Sequence, residues 1–79
     1  MNWTDGHAKS VLTVQRGMRR YHAIVEPMPC APLRFAWALY RCAEKVADGW
    51  AYGTEYAKLE AEQALLALME TDGTLGDKA

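Results

Sequence analysis

The residues best equipped for chemistry are clustered in "RGMRRYH", residues 16–22, where three arginines share seven positions with a tyrosine and a histidine. Guanidinium groups grip phosphate or carboxylate bidentately, and an adjacent aromatic ring can stack on a base. Arg16, Arg19, Arg20 and Tyr21 are therefore candidate partner-binding residues. The segment "DGWAYGTEY", Asp48 to Tyr56, adds Trp50, Tyr52 and Tyr56. With arginine, these are the side chains enriched at interface hot spots.

No comparable pattern supports a reaction. Cys30, Cys42, His7 and His22 are zinc-ligand types, but the paired short spacings of a zinc site are absent. Neither Ser10 nor Cys30 lies in a motif that would set a base beside it. A chain of 79 residues also offers little room for both a core and an enclosed pocket, so no enzymatic activity, metal or cofactor is expected. "PCAPLR" matches a P-x-x-P-x-R pattern, although Pro32 has a sufficient role as a helix starter.

Composition bounds the rest. At 51% hydrophobic and 24% charged residues, the chain reads as one small globular domain over residues 1–79. A domain of this size buries only about 60% of its unfolded surface, so association with a larger protein or a second copy is expected. The N-terminal "MNWTDGHAK" lacks the basic and apolar regions of a secretory signal, and Arg34, Arg41, Glu44 and Lys45 interrupt the most apolar window. A cytoplasmic protein that does not enter membranes is the expectation.

Charge is divided along the chain. Residues 1–45 hold seven basic against three acidic residues, a balance of +4, and residues 46–79 hold two against seven, a balance of −5. Such polarity suits an oppositely charged partner or self-pairing.

The elements that must position these residues follow from pattern and punctuation. Residues 10–26 fit a β-hairpin with Gly17 and Met18 at the centre of a type II′ turn. That register sets Val14 against Tyr21 and Leu12 against Ala23 on one face, with Val11 against Ile24 and Thr13 against His22 on the other. A helical stripe through Val11, Val14, Met18, Tyr21 and Val25 is the rival, but β-branched residues and an interior glycine favour strands. Residues 27–32 read as a proline-rich connector. Residues 32–48 read as a helix with Leu33, Ala36, Trp37, Tyr40, Ala43 and Ala47 on one stripe, beside a second through Phe35, Leu39, Cys42 and Val46. Residues 49–54 would be an aromatic and glycine turn, with Trp50 plugging the open end of the core and Tyr52 exposed. Thr54 would cap a second helix over residues 55–71, stopped at Gly73 and followed by a flexible tail, residues 72–79. The expected fold is α+β, a hairpin packed on a helical hairpin; the alternative is an all-α three-helix bundle.

These features point to a non-enzymatic protein-binding module. In size and style, though not in residues, it is analogous to phage or mobile-element accessory proteins that inhibit or adapt host machinery by occluding a protein complex. The alternative is a small nucleic-acid-binding regulator using the basic hairpin tip. A pI near 6 and the absence of a recognition motif argue for the former.

Overall fold

The computed structural model describes residues 2–77, with side chains through Asp72. Strands β1 (Thr4–Asp5), β2 (Ser10–Arg16), β3 (Arg19–Met28), β4 (Ala31–Arg41) and β5 (Glu44–Tyr52) form an antiparallel sheet in sequence order. One helix, α1 (Thr54–Asp77), follows. The helix packs on β3, β4 and β5 and covers a single face of the sheet.

The hairpin formed by β2 and β3 follows from local chemistry. Gly17 takes φ +63° at the first of two central positions, and no positive φ occurs at Met18, as a type II′ turn requires. Leu12 pairs with Ala23 and Val14 with Tyr21 on the helix side, whereas Val11 with Ile24 and Thr13 with His22 point away. This is the register that the alternation of residue types predicts.

From residue 27 onward the expected architecture is overturned: there is no helical hairpin and no three-helix bundle. Residues 32–41 and 44–48 are strand, with β4 pairing along β3 and β5 along β4. Phe35, Trp37 and Leu39 face the helix, while Arg34, Ala36, Ala38 and Tyr40 face the other side. With apolar side chains on both faces, hydropathy does not alternate, and spacings of three and four occur whatever the backbone. The ladder that β3 offers decides the matter, since a strand laid there satisfies the hydrogen-bonding groups of both segments.

The proline-rich segment is a hairpin rather than a connector. Met28 pairs with Ala31 across Pro29 and Cys30, and the register breaks between Pro27 and Met28, so the prolines cluster where the ladder is already interrupted. At the other end of β4, Cys42 and Ala43 turn the chain, with Cys42 at φ 58°. A second register shift, between Leu39 and Tyr40, makes Val46 an extra residue on β5.

The expected aromatic turn shrinks to Gly53, whose φ is +89°. Its carbonyl accepts the Ala57 N–H at 3.1 Å, so Gly53 holds the capping position assigned to Thr54. The helix does not stop at Gly73 but runs to Asp77, which makes residues 72–77 helical; the end of the expected tail, residues 78–79, lies outside the described residues. Ala57, Ala61, Leu65 and Met69 are its buried face, set against Leu12, Tyr21, Ala23, Val25, Leu39 and Ala51. Alanine at 57 and 61 lets the helix axis approach the sheet closely.

Polar ties lock the helix in place. The Trp37 indole donates to Glu60 at 3.3 Å, the Trp3 indole donates to Glu62, and Lys58 pairs with Asp5 at 2.9 Å. Gly49 contributes space: it sits opposite Trp37, and a Cβ there would lie 2.6 Å from Cζ2 of the indole. Gly49→Ala is therefore expected to cost about 1–3 kcal/mol by displacing the ring, read as a lower urea midpoint. An unchanged midpoint would show that Trp37 moves aside freely.

Candidate functional site

Among the described residues, no layer of the chain covers the second face of the sheet. Strand alternation sends Ile24 from β3, Arg34, Ala36, Ala38 and Tyr40 from β4, and Lys45, Asp48, Trp50 and Tyr52 from β5 to this helix-free side. Small residues run down its middle. Ala36, Ala38 and Gly49 floor a broad trough of about 510 Å³ between Ile24 and Met28 on one side and Tyr40 and Trp50 on the other. Lys9 and Lys45 with Glu26 and Asp48, and Trp37 reached past Gly49, complete its lining. It is a shallow groove, suited to a protuberance of another macromolecule more than to an enclosed substrate.

Beside the trough, Trp50 and Tyr52 form a rigid pair. Their rings meet edge to face at 5.1 Å and 89°, and the Arg34 guanidinium lies 4.7 Å from the Trp50 centroid and 5.6 Å from that of Tyr52. Residues i and i+2 of β5 share a face, and Tyr52 pairs directly with Arg34, so this packing is a product of register. Lys45 is tied to Asp48 at 2.7 Å, and this partner raises the lysine pKa above its ordinary value. Arg34 is different: among the described residues its guanidinium makes ring contacts but neither a hydrogen bond nor an ion pair. Its five N–H donors are left for something else.

Neither a protein-family model nor any curated protein or solved structure matches this chain. Function must therefore be argued from the site alone. No helix is long and apolar enough to cross a membrane, and among the described residues no three His, Cys, Asp or Glu side chains gather as a metal site would need.

The basic hairpin tip is divided by the fold. Arg16 and Arg20 are exposed beside Met18, but Tyr21 is only 1% exposed and donates its hydroxyl to Asp72 at 2.8 Å. Burial, then the hydrogen bond to Asp72, raises the Tyr21 pKa above the ordinary phenol value. The Arg19 guanidinium donates to the Asp72 main-chain carbonyl at 3.0 Å, so it too is engaged in fastening the helix. Tyr21 is thus a core residue, and the stacking ring expected at the tip is not on the surface. Trp50 is also corrected, from plug of the core to a 45% exposed residue of the helix-free face. Tyr52 is 57% exposed on the same face, and Tyr56 is exposed on the first turn of the helix.

Cys42, which a helix over residues 32–48 would set on an apolar stripe, is exposed in the β4–β5 turn, and Cys30 is exposed in the β3–β4 turn. The length of β4 separates them, about 35–40 Å of extended chain, so no intrachain bridge forms. Sequence reasoning missed Arg34, Tyr40 and the alanine floor. The signal was there: counted in twos, residues 34, 36, 38 and 40 place a cation and an aromatic at the ends of a small-residue track.

Proposed function

We propose that this protein is a non-enzymatic protein-binding module, an inhibitor or adaptor that docks its helix-free sheet face onto a larger protein and occludes the surface beneath. The observation that carries this reading is the trough floored by Ala36, Ala38 and Gly49, flanked by Trp50, Tyr52 and an unengaged Arg34. Aromatic and arginine anchors around a small-residue depression are what a hot-spot region requires, and a one-sided sheet leaves that apolar area without a second layer. The alternative reading, a nucleic-acid regulator acting through the hairpin tip, is weakened by the burial of Tyr21 and the engagement of Arg19.

Affinity capture on tagged protein tests the proposal, with Ala38→Glu as the decisive variant. A carboxylate in the middle of the trough floor fills it and adds an unpaired charge at the contact, while the half-exposed position keeps the fold intact. The expected result is a specific protein retained after nuclease treatment by the native chain and lost by Ala38→Glu at an unchanged melting midpoint. Retention of the same protein by Ala38→Glu, or loss of all bound material on nuclease treatment, would overturn the reading.

A further inference from the structure

Among the described residues, β5 is the longer open edge of the sheet, ahead of the Leu12–Arg16 stretch of β2. β1, two residues long, protects the start of β2, whereas β5 is the outermost strand for nine residues, Glu44–Tyr52. A strand in that position presents backbone N–H and C=O groups along its outer side, a template for another strand. The two halves of β5 differ. Glu44, Lys45, the extra residue Val46 and Asp48 guard the first half with charge and irregular register, the devices that discourage strand addition. The second half, Gly49–Tyr52, has neither charge nor bulge, and it is where Trp50 and Tyr52 hold Arg34.

From this juxtaposition we infer that β5 is a peptide-binding edge: an extended acidic segment of the partner adds alongside Gly49–Tyr52 as a sixth strand, and Arg34 takes one of its carboxylates. The inference rests on the protein-binding reading above and names the chemistry of the partner. In an added strand, alternate side chains rise on the helix-free side next to Trp50 and Tyr52. Arg34 lies over those rings with its guanidinium plane already positioned, so little side-chain freedom is lost when a carboxylate bridges two of its N–H groups. Charge selects the occupant. On the same face Asp48 is satisfied by Lys45, which leaves Arg34 as the cation without an ion-pair partner beside the open edge. A nucleic acid would need several phosphate contacts in a row, and at this edge Arg34 alone, on a chain of net charge −1, does not provide them; the exposed Arg16 and Arg20 lie at the β2–β3 tip.

Isotope-labelled full-length protein titrated with a synthetic peptide of alternating Glu and Val tests the inference. The expected result is amide shifts confined to Gly49–Tyr52 with a shift of the Trp50 indole N–H. Affinity should fall about tenfold or more for the Gln-for-Glu peptide and by a similar factor for Arg34→Gln, with Arg34→Lys intermediate. A peptide N-methylated on the residues that face β5 should not bind, because strand addition needs those N–H groups. Equal binding of the Gln peptide or of the N-methylated peptide overturns the inference. So do shifts confined to the Arg16 and Arg20 tip, no binding up to millimolar peptide, or binding of oligothymidine but not peptide. Arg34→Gln must melt as the native chain does for its loss to count, and the peptide variants keep the test valid if it does not. If the peptide fails while Ala38→Glu still abolishes capture, the edge site falls and the docking face stands; the converse result separates them the other way.

Discussion

Asp72→Ala is expected to lower the unfolding free energy by about 3 kcal/mol, toward the low end of what a stranded buried hydroxyl (about 1–3) and lost bonds to a charged group (about 1.5–3) give together. Asp72 is 5% exposed and lies at the contact between the C-terminal half of α1 and the sheet. Its carboxylate accepts the Tyr21 hydroxyl at 2.8 Å and Nη1 of Arg41 at 2.9 and 3.1 Å. Removing it leaves the Tyr21 hydroxyl, buried beneath the helix, without a partner. The Arg41 side chain is 37% exposed and can return to water, which holds the total near the lower end of the range for broken buried ion pairs. Against a total stability of about 4–12 kcal/mol for a domain of this length, the loss is large. It should appear as a fall of about 12–24 °C in melting temperature. Asp72→Asn keeps an acceptor for Tyr21 and should lose less; an unchanged midpoint in Asp72→Ala would show that the helix end is held by apolar contacts alone.

The same contact sets the response to acid. The Tyr21 hydrogen bond first, and Arg41 next, hold the Asp72 carboxyl below the usual carboxylate range, even though burial acts in the opposite direction. A group with a depressed folded-state pKa contributes its full stabilisation above the unfolded-state value, about 3.9, and loses it as pH falls through the folded one. The melting temperature should therefore drop below about pH 4, and Asp72→Asn should flatten that part of the profile. Tyr21 acts at the other extreme. Its raised pKa means the folded state retains the phenol proton longer than the unfolded chain, so stability declines once pH passes about 10.

Some of this fold was legible in the sequence and some was not, for identifiable reasons. The β2–β3 hairpin could be read because a glycine turn joins two runs of β-branched residues whose pairing buries one face and exposes the other. The core face of α1 could be read too, since Ala57, Ala61 and Leu65 recur every four residues. β4 defeats the same approach. Alanine and leucine are strong helix formers, and a strand with apolar side chains on both faces lacks the period of two that would betray it. Non-local pairing supplied the missing term, and pairing leaves no periodicity in one segment. Gly49, expected to open the turn over residues 49–54, lies within β5 and leaves space for the Trp37 indole arriving from the neighbouring strand. The site shared this fate. Arg34 stands more than fifteen positions before Trp50 and Tyr52 in sequence and meets them only through the β4–β5 register. Which of the arginine and aromatic residues share a surface is a property of the sheet.

The half-charges of the chain make structural sense on the same basis. Residues 1–45 build most of the sheet, and the acidic C-terminal half is mainly the helix lying across it, so part of the polarity is consumed internally by Arg41 with Asp72. Arg34 is not consumed in this way, because it is on the side of the sheet that the helix does not reach. The helix and the Arg34, Trp50 and Tyr52 cluster thus occupy opposite faces of one layer.

That separation makes Trp50→Ala the most informative substitution for binding. Trp50 walls the trough, supports the Arg34 guanidinium and contributes nothing to the core between sheet and helix, so its truncation should leave the melting midpoint within the range of ordinary surface changes. Affinity for the captured partner should fall about 30-fold to several hundred-fold, the 2–4 kcal/mol of a central aromatic anchor, and mainly through faster dissociation. Arg34 gives the prediction a second, independent handle. Over an exposed indole its cation–π contact is worth about 0.5–1 kcal/mol, but its larger contribution is orientation, so Trp50→Ala and Arg34→Gln should combine to less than the sum of their separate losses. Tyr52→Phe, which keeps the ring and its edge contact with Trp50, should change affinity little. If Trp50→Ala destabilises the protein as much as it weakens binding, the indole is part of the framework. If binding survives at native strength, the docking face lies elsewhere, and the exposed Leu59 and Leu66 on the outside of α1 become the surface to test.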